Sequence, residues 1–255
     1  MAPEQDRSGN RAQGRSLTRG GHHDGGRKTD MNLKAENISK TFFRSTGGSN
    51  YFYAVFPVSL ELQAGTVTVL MGRSGSGKTT LLNILSGILQ PAEGKVWLDD
   101  TDLYSLDDAA LSRLRNGRIG IVPQARSAVD TLTVRENILL PASLYGKPAP
   151  EEEAANRMEE FGIGHLADAM PKELSGGELR RMAVVRALAG HPDILFADEP
   201  TGDLDDENTE KVLSALEAYA HQGGKAVFIV THENDALKYT DRILRMDKGR
   251  MVADE

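Results

Sequence analysis

The segment MGRSGSGKTTLLNILSGI, residues 71 to 88, limits the fold more than any other part of the chain. It ends an apolar run, TVTVLM from Thr66 to Met71, that reads as a buried strand. It leads into Leu81, Leu82, Ile84, Leu85, Ile88 and Leu89, which recur at helical spacing. A glycine loop between a strand and a helix is the context a phosphate cradle requires. Without Cβ atoms, backbone N–H groups can wrap phosphate oxygens, and the helix N-terminus adds the positive end of its dipole. Gly72, Gly77, Lys78 and Thr79 spell G-x-x-x-x-G-K-S/T, with Ser74, Gly75 and Ser76 inside the loop and Thr80 just after it. In this pattern Lys78 reaches the β- and γ-phosphates and the Thr79 hydroxyl holds Mg²⁺. A P-loop alone does not choose among kinases, GTPases, helicases and transport ATPases.

Bulk properties narrow the setting. The chain has 255 residues, 39% of them hydrophobic, enough for a sizeable core in one large domain or two small ones. The net charge of -7 gives no general attraction to nucleic acid, so no nucleic-acid partner is expected. Cysteine is absent, which excludes a disulfide framework, a thiolate nucleophile and sulfur-ligated metal, and fits a reducing cytosol. No apolar stretch approaches the roughly 18 residues a spanning helix needs. Residues 1–30 are rich in Gly, Arg and Ser and read as a disordered tail; His22 and His23 within it read as solvated. Ordered texture begins at Met31, where MNLKAENISKTFF and then VSLELQ alternate like strands.

The second half of the chain carries the rest of the chemistry. DILFADEP, Asp193 to Pro200, reads as a short buried strand ending in two acids, and ligands of parallel α/β sheets gather at the carboxyl ends of strands. Asp198 therefore suits the Mg²⁺ shell, and Glu199 suits a base for an attacking water. KAVFIVTH, Lys225 to His232, reads as a third strand that delivers His232 to the same edge, placed to donate to a γ-phosphate. Ser175 and Glu178 form an S-x-x-E capping box, so a helix starts at Ser175 with Met182, Val185, Leu188 and Ala189 on its apolar face. That is a second glycine-bearing helix N-terminus suited to an anion. Two are more than one nucleotide needs.

The P-loop, LSGGE (Leu174 to Glu178), ADEPTGDLD (Ala197 to Asp205) and His232, in this order, resemble the nucleotide-binding domain of an ABC transporter, from about Asn32 to the C-terminus. The resemblance implies an α/β P-loop NTPase of ABC type: a mostly parallel core sheet with helices, an N-terminal antiparallel β subdomain and an inserted α-helical subdomain at about 125–190, all within residues 31–255. It implies that two copies bind ATP head to tail, with Ser175 and Gly177 of one closing on the γ-phosphate held by the P-loop of the other, and Glu178 beside them. Gln124, in IGIVPQ, matches the glutamine that reaches the metal. Asp205 matches the aspartate that helps align the opposing site. Phe42 is the best match to the aromatic that stacks on adenine, where the family usually has Tyr; Phe43, Tyr51 and Tyr53 lie close by. Leu179 stands where Gln commonly follows SGGE, a departure not expected to affect hydrolysis.

LTVRENILLP, ADEPTGDLD and THENDALKYTDRILRMDKGRMV are most similar to the ATPases of macrolide-export, lipoprotein-release and antimicrobial-peptide-resistance systems. This likeness implies an ATPase using ATP and Mg²⁺, acting as a homodimer on the inner face of the membrane and driving a separate permease for an amphipathic or hydrophobic substrate. A regulatory ATPase of the cell-division type and an importer ATPase share much of the same text.

Overall fold

The computed structural model describes residues 31–44, 50–148 and 150–252. The expected disordered tail, with His22 and His23, lies outside the described residues. In chain order the elements are β1 (Asn32–Arg44), β2 (Asn50–Gln63), β3 (Thr66–Met71), α1 (Lys78–Leu85), β4 (Glu93–Leu98), β5 (Thr101–Asp102), α2 (Asp108–Arg118), β6 (Ile119–Val122), α3 (Val134–Leu144), α4 (Glu151–Glu160), α5 (Gly176–Ala189), β7 (Ile194–Asp198), α6 (Asp206–His221), β8 (Ala226–Thr231), β9 (Arg242–Asp247) and β10 (Arg250–Val252).

These strands form two sheets. One is antiparallel, in the order β2-β1-β4-β5. Its long β1–β2 pair runs from Asn32 opposite Gln63 to Arg44 opposite Asn50, with register irregularities near Ile38 and Lys40. The other has the order β10-β9-β3-β8-β7-β6, parallel throughout except at β9–β10. Parallel strands covered on both faces need continuous apolar text, and every residue of ILFAD in β7 and AVFIVT in β8 is buried.

Alternation along the parallel strands sends side chains into two cores. Leu70, Phe196, Phe228 and Val230 face α1 and the antiparallel sheet, where Leu33, Ile38, Leu81 and Leu85 meet them. Val67, Val69, Leu195, Ala197, Val227 and Ile229 face the other way, against Val184 and Leu188 of α5 and Leu213 and Leu216 of α6. Burying each such Leu or Ile contributes about 1.5–3 kcal/mol, so the parallel sheet is fixed from both sides. Residues between β6 and α5 supply α3 and α4, whose Ile138, Ala154 and Met158 join the second core. Among the described residues no helix is long and apolar enough to cross a membrane.

Two expectations need adjusting. Helix α1 stops at Leu85, because Gly87 turns with φ 74° and the Leu89 amide returns to the Asn83 carbonyl; Ile88, read from spacing as part of the apolar face, is exposed. The β7 strand ends at Asp198, one residue before the second acid of the pair, because Glu199 leaves extended geometry with φ 51°.

Candidate active site

The strand order β3-β8-β7-β6 brings four separate stretches of sequence to one sheet edge. Met71 pairs with Thr231, Asp198 with Val230, and Val122 with Ala197, so the carboxyl ends of these strands are level. From that edge emerge the glycine loop and Lys78, then His232, then Asp198 and Glu199, then Gln124. A cleft of about 500 Å³ lies there, with Ser74, Gly75, Gly77, Lys78, Thr79, Thr80, Gln124 and Glu199 among its lining residues.

The loop is held by close backbone packing that admits only glycine. A Cβ on Gly77 would overlap the Ala54 carbonyl oxygen, and φ there is 103°; a Cβ on Gly72 would overlap the Met246 carbonyl oxygen. The turn between β9 and β10 braces it from outside: the Gly249 amide donates to the Ser76 carbonyl at 2.8 Å, and the Gly249 carbonyl accepts from the Phe56 amide at 2.8 Å. Lys78 is 6% exposed, and its ammonium donates to the Gly72 and Arg73 carbonyls at 2.7 and 3.1 Å. The charge therefore sits inside the loop's own curl. Ser76 Oγ is buried with no partner among the described residues. An unsatisfied buried hydroxyl costs about 1–3 kcal/mol, which a bound oxyanion would relieve.

Asp198 closes β7 at 3% exposure with Oδ1 lacking a hydrogen-bond partner among the described residues. Burial raises its carboxyl above the usual range, offset in part by the Thr79 hydroxyl that donates to it. A buried carboxylate with an open oxygen, beside a hydroxyl and next to a phosphate loop, fits a hard cation such as Mg²⁺, which takes few protein ligands and completes its shell with phosphate and water. Among the described residues no group of three or more His, Cys, Asp or Glu could hold a metal by itself.

Glu199 and His232 meet directly. His232 Nδ1 lies 2.9 Å from Glu199 Oε1, and the Thr231 hydroxyl donates to Glu199 Oε2 at 3.3 Å. The hydrogen bond to Glu199 raises the His232 pKa above the ordinary 6.5. The Thr231 hydroxyl also accepts from the Glu233 amide at 3.0 Å, and the Thr201 hydroxyl donates to Glu233 at 2.5 Å. The ends of β7 and β8 are thereby laced together around the carboxylate.

Strand pairing sorts the aromatic residues into two groups. Phe42 and Phe52 are cross-strand partners, with ring centroids 6.1 Å apart, and both line the cleft together with Tyr53 and Ala54. Phe43 and Tyr51 form a separate pair with centroids 5.3 Å apart, and neither lines the cleft. The sequence reading did not single out Phe52, nor Lys248 and Gly249, which also line it. Strict alternation along YFYAV could have suggested Phe52; nothing in the sequence ties residue 248 to residue 77.

The remaining expected residues lie elsewhere. Ser175 caps α5: its hydroxyl accepts from the Glu178 amide at 3.3 Å, while Glu178 Oε2 accepts from the Ser175 amide at 2.7 Å and from its hydroxyl at 2.8 Å. The Ser175 amide is the leading reason the Glu178 carboxyl stays below its usual range. A Cβ on Gly177 would stand 3.3 Å from both the Asp203 carbonyl oxygen and Leu204 Cδ2. Asp205 caps α6 by accepting from the Asn208 amide at 2.8 Å. None of Ser175, Gly177, Glu178 and Asp205 lines the phosphate cleft.

Comparison with known proteins agrees with this geometry. The sequence profile described as ABC transporter matches residues 55–202. The lipoprotein-releasing system ATP-binding protein LolD of Aquifex aeolicus is 38% identical over 224 residues, covering 87% of this chain and 96% of that protein. The uncharacterized ABC transporter ATP-binding protein YbbA of Escherichia coli is 37% identical over 224 residues, covering 86% of this chain and 98% of its own. The solved ATP-binding cassette MJ0796, dimeric in a post-hydrolysis state with ADP and Pi, superposes with a TM-score of 0.82 at 33% identity, over 88% of this chain and 97% of that one.

Proposed function

The chain belongs to the ABC transporter family, whose cassettes bind and hydrolyse ATP, and from that membership we propose that it is the subunit that drives a separate membrane permease. The observation that carries this reading is the sheet edge where Lys78, Gln124, Glu199 and His232 converge while the capped N-terminus of α5 stands outside the cleft. A second phosphate-seeking helix that does not face its own cleft is suited to the cleft of another copy. The dimeric state of the MJ0796 cassette supports the same arrangement.

In the proposed reaction the glycine loop and Lys78 bind the β- and γ-phosphates, and Phe42 or Phe52 stacks on the base. Asp198, Thr79 and Gln124 would hold Mg²⁺, which when bound neutralises charge on the phosphates. Glu199 orients the attacking water and takes its proton at a carboxylate oxygen. His232 donates to the γ-phosphate and, through its bond to Glu199, holds that carboxylate in place. Ser175 and Gly177 of the partner close the other side, and Asp205 aligns the two copies. Residues 31–255 form the ABC domain, and the region of about 125–190 receives the permease on the inner face of the membrane. The relatives named for lipoprotein release support an amphipathic or hydrophobic substrate for export or release.

The test is Glu199→Gln. ATPase activity is expected to fall by more than about 100-fold, with an ATP-bound dimer persisting on gel filtration; undiminished turnover removes Glu199 from its role. Recovery of the same integral-membrane protein with wild type and variant from detergent-solubilised membranes checks the permease.

A further inference from the structure

The segment 123–128, which follows β6 and carries Gln124, is neither helix nor strand, so side chains must fix it. Two arginines of α5 do so. The Arg180 guanidinium spans two successive carbonyls: Nη1 donates to Pro123 at 2.8 Å and Nη2 to Gln124 at 2.9 Å. Further along the helix, Arg186 Nη1 donates to the Ser127 carbonyl at 2.8 Å. Arg180 also approaches the segment after β7, since a Cβ on Gly202 would stand 3.7 Å from its Nη2.

Gln124 is where two cavities meet. It lines the phosphate cleft with Lys78 and Glu199. It also lines a second cavity of about 240 Å³, shared with Gly176, Leu179, Arg180 and Asp203. Its main chain is thus gripped from the α5 side while its residue borders the cleft that holds Lys78 and Glu199. A planar fork with two charge-assisted bonds fixes orientation as well as distance, which a single ammonium cannot do.

We propose that Arg180 is a positioning residue: by holding the Pro123 and Gln124 carbonyls from α5, it sets where Gln124 presents its side-chain amide to the phosphate cleft. The proposal rests on the functional reading above and deepens it.

The test is a double-mutant cycle in the full chain with Arg180→Ala, Arg180→Lys and Gln124→Ala. Arg180→Ala is expected to lower kcat about tenfold with KM for ATP within about twofold. Arg180→Lys recovers part of that loss, because one carbonyl can still be held. With Gln124→Ala already present, the Arg180 substitution costs less than about a further twofold. Limited trypsin cleavage of the nucleotide-free protein after the exposed Arg126 reads the same clamp without catalysis, and is expected to run about tenfold faster in Arg180→Ala. Additive losses in kcat, a KM rise at unchanged kcat, or wild-type cleavage after Arg126 would overturn it. Should Arg180→Ala not fold, Arg180→Lys carries the same cycle and the same cleavage measurement. A wild-type protein without ATPase activity would sink the functional reading, and cleavage alone would then judge the clamp.

Discussion

Glu199 occupies a left-handed backbone conformation, φ 51°, that costs a non-glycine residue about 1–2 kcal/mol. The bond from its amide to the Val230 carbonyl at 2.8 Å and that from the Gly202 amide to its carbonyl at 3.2 Å hold it there. The twist turns the carboxylate off the strand and toward Thr231 and His232. Strain kept at such a point is a common mark of a working group. The partner His232 gives a pH prediction. Its pKa is raised by the bond to Glu199, so the charged pair is complete below the ordinary value of 6.5 and is lost as pH rises through the elevated one. Titration of the imidazole by NMR is expected to place His232 above the ordinary 6.5. In Glu199→Gln it should move down toward 6.5, since the neutral amide no longer favours the imidazolium.

Among elements, α3 shows how a loop is secured by one buried side chain. Asn137 is fully buried, its Oδ1 accepts from the Val129 amide at 2.7 Å, and its Nδ2 faces the Val129, Leu132 and Thr133 carbonyls at 2.9–3.1 Å. The Thr133 capping box, with Glu136 bonded back to the Thr133 amide at 2.8 Å, starts the same helix. Asn137→Ala removes the staple and leaves main-chain groups unpaired in the interior. The expected loss is about 3 kcal/mol, seen as a lower urea midpoint at unchanged slope. The capping box of α5 was read from the sequence because its partners lie three residues apart; that of α3 has the same spacing and was not singled out. The grip of Arg180 on residues 123 and 124 was not legible there, because a guanidinium on a helix reads as solvated surface until the neighbouring segment is in place. The early stop of α1 belongs to the same class: apolar spacing continues through Ile88 and Leu89, but Gly87 redirects the chain.

Across the whole molecule, the parallel sheet separates two tasks. One of its faces packs the antiparallel sheet that brings Phe42 and Phe52 over the P-loop, and the other packs α5 and α6, whose caps are Ser175 and Asp205. Arg181 of α5 bonds to Asn208 of α6, tying those two caps into one unit. Because this unit lies outside its own phosphate cleft, turnover should require association. Specific ATPase activity is expected to fall on dilution over about a 100-fold range of protein concentration and to recover at saturating protein. Constant activity per protomer across that range, in a strictly monomeric preparation, would contradict shared sites.

What the sequence determined by itself was local: the glycine loop between a strand and a helix, the acidic pair at the carboxyl end of β7, of which only Asp198 lies in the strand, and the capped start of α5, each set by residues within a few positions of one another. Periodicity and capping act over one or two turns, so they can be read without knowing the fold. The tertiary structure decided what lies opposite what. It chose Phe52 beside Phe42, put the β9–β10 turn against Ser76, paired His232 with Glu199 and hung Gln124 on Arg180. Apart from the neighbouring-strand pair Phe42 and Phe52, those contacts join residues far apart in the chain, brought within bonding distance by the order of strands in the parallel sheet and the packing of its helices.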